Sequence, residues 1–394
     1  MAVKDIFFEG LTAPVRTVDC EKTLERLAGY VPCWPFSIQP QTDTEHCVAL
    51  AFNGAAWLIQ SPHTPKHRIH KTEVNAICDL VSILALAMIA QEPDLLCFHS
   101  AALEIDGGLV LFPAVRRSGK STLAAVLMAR GARLFTDDYL PVERNPEGTI
   151  VGRATGIAAR LRIPVPETFP DYARAYLNAH PGPENKQYRF IAGPSVAPAR
   201  RQLPIRSIVL LDRQDSGKAN SSDVSESDLL GRLAYQNFSR GLLAGETLSL
   251  LIQLTQTAPA QHLTYSDPSQ AADLILDGLP RIANTTPTPV KFPEPGPRPD
   301  AARFSPNIPY KRTAFAQLRK AGEVWVGASC DGLKLLKFDA AAVGVLDLLE
   351  DPITPEEVVH LIWDAFPDMD PTEIETNTFQ ILRNFLNVGF IARS

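Results

Sequence analysis

A glycine, a lysine and two hydroxyl residues follow an apolar run in the stretch LVLFPAVRRSGKST, residues 109–122. A phosphate-binding loop has this arrangement, because a strand, a tight turn and a helix N-terminus together aim backbone N–H groups at one anion. In that pattern Lys120 contacts the β- and γ-phosphates, and the Ser121 hydroxyl ligates Mg²⁺. The sequence therefore predicts binding of ATP and Mg²⁺ through Ala114, Arg116, Arg117, Ser118, Gly119, Lys120, Ser121 and Thr122. The alternative, a surface turn that only resembles the loop, leaves the aspartates that follow unexplained.

The loop departs from the usual pattern at three positions. Ala114 replaces the first glycine, which is tolerated where that position does not need a positive φ. Arg116 and Arg117 stand where small residues are usual. Three interpretations stay open: the guanidinium groups attract phosphate from the rim, point into solvent without a role, or obstruct the nucleotide.

Two carboxylates follow the loop on the next apolar stretch, RLFTDD. Asp137 and Asp138 at that place can hold Mg²⁺ and accept the proton of an attacking hydroxyl. Each taken singly is also compatible with a helix or loop cap. Asp212, at the end of SIVLLD, is a competing acidic strand end that lies further along the sequence. His99 precedes the loop, in CFHSAAL, although a lone histidine is more often structural than catalytic.

The segment HSAALEIDGGLVLFPAVRRSGKSTLAAVLMARGARLFTDDYLPVE resembles the catalytic domain of HPr kinase/phosphorylase. The resemblance covers residues 75–282 in layout and is specific over 98–143. It implies an ATP- and Mg²⁺-dependent protein serine kinase. Lys120 would hold phosphate, Ser121 and Asp138 the metal, and Asp137 or Asp138 would be the base beside His99. The family's later glutamate-arginine-glycine signature has no clear counterpart, so neither a second metal ligand nor the reverse phosphorolysis is carried over.

The elements that position these side chains form an α/β fold. The pattern predicts a β-rich N-terminal region over 1–72, with a hairpin turn at Asn53-Gly54. It then predicts a nucleotide-binding core over 73–282, with a helix over 72–90, strands at 96–105 and 109–112, and a helix over 120–130. Residues 160–204 are proline-rich and no elements are predicted there. Four arginines of this segment are candidates for binding phosphate: Arg160, Arg162, Arg200 and Arg201. Each is nevertheless more typical of a charge on a solvated surface.

A proline-rich segment over 283–309 is predicted to be a semi-rigid linker, because residues 287–309 hold eight prolines. The domain after it, 310–394, is predicted to be winged-helix-like: two strands around the turn Asp331-Gly332, then three helices. Two helix starts are marked by local signals: TPEE, with Thr354 as N-cap and Glu357 completing a capping box, and DPTE, with Asp370.

This C-terminal domain resembles the PqqD-like domains that recognise precursor peptides in ribosomal peptide modification. The resemblance implies that a leader peptide adds a strand to the hairpin edge and docks against the third helix. DNA binding, the alternative for a winged-helix-like domain, is not favoured: residues 306–394 carry 8 Lys and Arg against 13 Asp and Glu, a net charge of −5.

The composition of the chain limits which partners it can bind and which cellular compartment it suits. The whole chain has a net charge of −6, which disfavours nucleic acid as the main partner. The N-terminus lacks a secretory pattern, the apolar run 80–90 is short for a bilayer, and six cysteines lie outside any CxxC pair. A cytoplasmic chain that binds no membrane is therefore expected. The sequence leaves open whether it forms a homo-oligomer.

Together the two resemblances predict a kinase that phosphorylates a serine or threonine of a ribosomally made precursor peptide, of the lasso-peptide type, recruited through its leader. Two alternatives stay open. One is a non-catalytic nucleotide-binding adaptor that carries the precursor to other enzymes. The other is a kinase for a folded protein or small alcohol with a regulatory C-terminal domain.

Overall fold

The structure, a computed structural model, describes residues 2–113, 118–239, 241–278, 289–297 and 303–394. Helices and strands alternate along the chain in a mixed α/β architecture. The chain divides into two compact units. Unit 1 comprises Met1–Val224, Arg232–Gly241 and Leu254–Thr286, and unit 2 comprises Ser225–Gly231, Leu242–Gln253 and Pro287–Ser394. The predicted boundary at 72 lies inside unit 1; the predicted domain limits otherwise stay predictions.

The N-terminal strands of unit 1 form a mixed sheet of six strands in the described residues, in the order β3-β1-β2-β4-β5-β6. The pairing of β2 with β4 is parallel and the others are antiparallel. Its hairpin between β4 and β5 turns at Asn53, as the sequence predicts. The strands are β1 Val3–Phe8, β2 Val15–Val18, β3 Phe36–Pro40, β4 Val48–Phe52, β5 Trp57–Gln60 and β6 Arg68–His70.

The remaining strands of unit 1 form the sheet that carries the predicted site and a smaller sheet beside it. The smaller sheet has the order β12-β14-β13. The strands are β7 Leu96–Ile105, β8 Gly108–Pro113, β9 Arg133–Thr136, β10 Tyr139–Arg144, β11 Ile150–Arg153, β12 Ala159–Arg162, β13 Pro181–Glu184, β14 Tyr188–Ile191, β15 Gln202–Arg213, β16 Asn220–Asp223 and β17 Ala260–Tyr265.

Parallel pairing at the centre of the larger sheet determines where polar side chains can meet. The path is β11-β10-β7-β8-β15-β17-β16, and β9 also pairs with β7. Strands β8, β15 and β17 run parallel, so their carboxyl ends share one edge of the sheet. Strands β7 and β10 are antiparallel, with Tyr139 opposite His99. These pairings bring the end of β8, the start of β10 and the end of β17 within reach of one another.

Helices pack against the six-stranded sheet and the larger sheet of unit 1, and one of these helices, α2, is strongly apolar. Thr72 caps α2 by accepting a hydrogen bond from the backbone of Asn75. In the described ranges α2 is the one helix whose length and composition would allow it to cross a membrane, yet ten of its nineteen residues are buried in the core of unit 1. The helices are α1 Glu21–Glu25, α2 Glu73–Gln91, α3 Lys120–Ala129, α4 Asp171–Ala179, α5 Glu226–Gln236, α6 Ala244–Thr257 and α7 Pro268–Gly278; the division between the units falls within α5 and α6.

Unit 2 contains the C-terminal hairpin and three helices. Both predicted helix starts are confirmed: Thr354 and Glu357 form the capping box, and Asp370 accepts two backbone hydrogen bonds. The described residues before β18, 289–297 and 303–309, form no helix or strand. The elements are β18 Tyr310–Arg312, β19 Arg319–Ala321, β20 Val324–Ala328, β21 Leu335–Phe338, α8 Ala340–Asp347, α9 Pro355–Ala365, α10 Pro371–Val388 and β22 Ile391–Arg393.

Candidate functional site

The strand and the helix that flank the predicted phosphate loop are both present. β8 ends at Pro113 and α3 begins at Lys120, with Gly119 as its N-cap. Lys120, Ser121 and Thr122 occupy the first turn of α3. The backbone N–H groups and the dipole at a helix N-terminus favour an anion. The predicted binding residues Ala114, Arg116 and Arg117 lie outside the described residues, so the loop conformation and the role of its arginines stay predictions.

Gly119 has a backbone conformation and a close neighbour that both require glycine. Its φ is +90°, in the left-handed region that favours glycine. A β-carbon at this position would clash with the Tyr265 hydroxyl. That hydroxyl donates a 3.2 Å hydrogen bond to the Ser118 carbonyl. Burial raises the pKa of Tyr265 to about 12, so the phenol stays protonated and able to donate this bond.

We expect Gly119→Ala to lower stability more than Gly131→Ala does. Gly131 also has a positive φ, but a β-carbon there meets no neighbour. The control should therefore lose only the left-handed cost of about 1–2 kcal/mol, whereas Gly119→Ala adds the clash with Tyr265. Urea unfolding of both variants measures the difference, and equal losses would contradict the close approach of Tyr265.

Asp137 lies beside the first turn of α3. The Ser121 hydroxyl donates to Asp137 Oδ2 at 3.2 Å, and the Arg160 backbone N–H donates to the same oxygen at 2.9 Å. The other oxygen, Oδ1, is buried without a hydrogen-bond partner among the described residues. Burial, together with the Asp138 carboxylate, raises the pKa of Asp137 above its ordinary value, against the opposing effect of Arg160 and Ser121. A buried carboxylate oxygen with no donor is an incomplete site for a cation.

Asp138 faces His99 across two paired strands. His99 Nδ1 lies 3.2 Å from Asp138 Oδ1, and the Ser100 backbone N–H donates to the Asp138 carbonyl at 3.1 Å. The two side chains are 34% and 37% exposed, so this pair remains open to a substrate. The sequence predicted His99 as the neighbour of the acidic pair, and the structure brings them together through the pairing of β7 with β10.

Arg160 occupies the site, which corrects the expectation that it is a solvated surface charge. Its guanidinium lies 3.9 Å from Asp138 Oδ2, and Arg160 lines the same small cavity as Cys78. Burial disfavours the charged guanidinium, but Cys78 and both aspartates outweigh it and raise the pKa of Arg160 above its ordinary value. The reason for the correction is strand pairing: β12 and β14 form a small sheet that places Arg160 next to Asp137.

A small cavity of about 30 Å³ adjoins these groups. Both aspartates and Arg160 supply its charged lining. Cys78 comes from α2, where the sequence predicts a helix and no site residue, and burial raises the pKa of its thiol. No local signal marks Cys78 or Tyr265 as site residues, because each reaches the site through long-range packing. The residues that line the cavity are Cys78, Val81, Thr136, Asp137, Asp138, Tyr139, Ile157, Ala158, Arg160 and Phe190.

The other candidates lie in different surroundings. Asp212 stands near the carboxyl end of β15, where its Oδ2 accepts a 2.7 Å hydrogen bond from Gln214. Arg201 is paired with Glu104 at 2.7 Å and lies over the Phe135 ring. Arg162 is exposed and lies over the Tyr188 ring. Arg200 has a positive φ and its side chain lies against Gly10.

The side chains at this site suit a Mg²⁺ ion that is also held by phosphates and water, rather than a metal ion held by protein ligands alone. No group of three or more His, Cys, Asp or Glu side chains in the described residues could hold a metal ion. Mg²⁺ is usually held by one or two carboxylates together with phosphates and water. The free Oδ1 of Asp137 and the adjacent Ser121 hydroxyl supply such a set. Ser121 contacts Asp137, whereas Asp138 contacts His99, so the metal role predicted for Asp138 fits Asp137 better.

Among solved structures, the chain is similar to the Hpr(Ser) kinase/phosphatase from Coxiella burnetii. The two are 14% identical with a TM-score of 0.23, and the match covers 45% of this chain and 93% of the other. No protein-family model matches the chain, and no curated protein matches it. A likeness of this extent assigns neither an activity nor a site residue, so function is inferred from the side chains themselves.

Proposed function

We propose that this chain is an ATP- and Mg²⁺-dependent kinase that phosphorylates a serine or threonine hydroxyl of a ribosomally made precursor peptide. One observation carries the proposal: the Ser121 hydroxyl, in the first turn of α3, is hydrogen-bonded to Asp137. Residues typical of phosphate binding and the acidic pair therefore belong to one site, which a surface turn resembling a phosphate loop would not explain.

In this proposal the two aspartates have different roles. Asp137 and Ser121 would hold Mg²⁺, which when bound neutralises negative charge on the phosphates. Asp138 accepts the proton of the attacking hydroxyl, and His99 holds the carboxylate in place through its 3.2 Å contact. Lys120 contacts the transferring phosphate from the helix N-terminus. The oxygen of the peptide hydroxyl forms a bond to the γ-phosphorus of ATP. The bond between that phosphorus and the oxygen of the leaving ADP breaks at the same time.

Unit 2 is proposed to bind the leader of the precursor. In the described residues β21 pairs on one side only, with β20, so its other edge can accept an extended peptide. Leu333 and Leu335 beside that edge are exposed, Leu333 to 75%. A peptide that adds to this edge would pair its backbone with β21 and pack apolar side chains against the two leucines. We propose a cytoplasmic chain whose partner is this peptide rather than nucleic acid or a membrane.

We expect phosphorylation to depend on the leader. Binding the leader raises the local concentration of the acceptor, so a leaderless peptide should show a KM about 10² higher with a similar kcat. The measurement compares full-length and leaderless peptides with the full chain, and free leader added in excess should inhibit only the full-length reaction. Equal KM values for both peptides would indicate a kinase for another alcohol. ATP binding without turnover on any peptide would indicate the adaptor.

A further inference from the structure

The small sheet β12-β14-β13, beside the two aspartates, carries two arginines whose guanidinium groups lie over the same aromatic ring. Arg160 and Arg162 alternate with buried residues along β12, so their side chains lie on the same face of that strand. Their guanidinium carbons lie 5.1 Å and 5.6 Å from the centroid of the Tyr188 ring. The three residues form an arginine–tyrosine stack.

The two arginines differ in the negative charges around them. Arg160 already faces Asp138 at 3.9 Å. Arg162 is exposed, and in the described residues the hydrogen bond and the cation–π interaction of its side chain are both with Tyr188. Its guanidinium lies over the ring and is 3.4 Å from the hydroxyl. A guanidinium held on an aromatic face loses less side-chain freedom when it binds an anion. Arg162 is thus a pre-positioned cation without a carboxylate partner.

Distance along the strand links this free cation to the reacting groups. The Arg160 backbone is hydrogen-bonded to Asp137, and Arg162 is two residues further, about 7 Å along β12. An extended peptide also advances about 3.3 Å per residue. An anionic group one or two residues from the acceptor hydroxyl would therefore reach Arg162 while the hydroxyl lies at Asp138.

We infer that the arginine–tyrosine stack selects acceptors carrying an anionic group one or two residues from the hydroxyl that is phosphorylated. This inference rests on the proposed kinase function and names its substrate class. A carboxylate side chain and a phosphate installed in an earlier turnover both supply the required charge. A planar guanidinium accepts either through paired hydrogen bonds.

The test uses the full chain and four precursor peptides that differ only beside the acceptor: Asp, its neutral match Asn, phosphoserine and serine. With the wild-type chain, the Asp or phosphoserine peptide should have a KM about five- to tenfold below that of its neutral match. Arg162→Gln should remove this preference while leaving kcat on the neutral peptides unchanged. Tyr188→Leu, which removes the platform, should weaken the preference in the same direction.

A matched control is Arg206→Gln. Arg206 is also exposed, but it packs against Gly108 at the opposite end of β8 from the site, so it should leave every KM unchanged. A preference for Asp alone assigns the natural anion to a side chain, and a preference for phosphoserine alone assigns it to an earlier phosphate. Equal KM values for all four peptides, or a rise in the KM for ATP instead, would overturn the inference while leaving the kinase intact. If no peptide is phosphorylated, the proposed function fails and this inference fails with it.

Discussion

Lys120→Ala is expected to abolish phosphate transfer while peptide affinity stays unchanged. Lys120 is the first residue of α3 and follows the left-handed Gly119. In the proposed mechanism its ammonium group would lie beside the phosphates at the helix N-terminus. Removing one charge that acts on the transferring phosphate affects the transition state and not the leader, which is proposed to bind unit 2. Turnover assays and peptide-binding isotherms on the same preparation separate the two effects.

A suitable control for charge alone is Lys22→Ala. Lys22 is an exposed lysine of α1, so its loss changes net charge by the same amount without touching the site. The control should keep wild-type turnover. Near-normal turnover in Lys120→Ala would show that residues 114–122 do not form a phosphate loop.

The second large effect is expected for the aspartates. Asp137→Asn and Asp138→Asn should each lower turnover by at least about 10², the scale of a general-base contribution. Asparagine keeps the shape of the side chain but cannot take the hydroxyl proton or neutralise a cation. Asp277→Asn, on an exposed turn of α7, is the matched control and should be neutral. If both site variants keep normal turnover, Asp212 becomes the better candidate for the acidic group.

The stability of the fold should depend on pH through Asp137, because burial and the Asp138 carboxylate raise the pKa of this carboxyl in the folded state. A carboxyl with a raised folded pKa binds its proton more tightly when folded, so its contribution to stability is lost as pH rises through that pKa. Without Mg²⁺, Asp137→Asn should therefore unfold at a higher temperature than the wild type near about pH 8, and the difference should shrink towards about pH 4. Thermal unfolding of both proteins at several pH values measures this difference. A variant that is less stable than the wild type at every pH would contradict a buried, unpartnered Oδ1.

Added Mg²⁺ should raise the unfolding temperature of the wild type and leave that of the variant unchanged.

Local signals in the sequence were sufficient to predict several elements of the structure. The start of α3 after Gly119, the capping box at Thr354 and the hairpin turn at Asn53 each depend on residues within four positions of one another. Such features are set by backbone geometry and short hydrogen bonds, which depend little on the rest of the fold. Contact between His99 and the acidic pair was also predictable from the family resemblance.

Other parts of the site depend on pairing between distant segments. Arg160 reaches Asp137 because β12 and β14 form a sheet in a proline-rich region where no periodic pattern is visible. Tyr265 reaches Gly119 through the parallel pairing of β17 with β15. The sequence also could not assign different roles to the two aspartates. The bend of the chain at these residues directs Asp137 towards Ser121 and Asp138 towards His99, and no local pattern predicts this difference.

The central claim is that the γ-phosphate of ATP is transferred to a peptide hydroxyl at this site. Intact-mass spectrometry of candidate precursor peptides, incubated with the full chain, ATP and Mg²⁺, tests it most directly. The account predicts a peptide that gains the mass of one or more phosphoryl groups, localised by fragmentation to serine or threonine, and no gain with Asp138→Asn. Peptides that stay unmodified while the chain binds both ATP and leader would contradict the kinase and establish the adaptor.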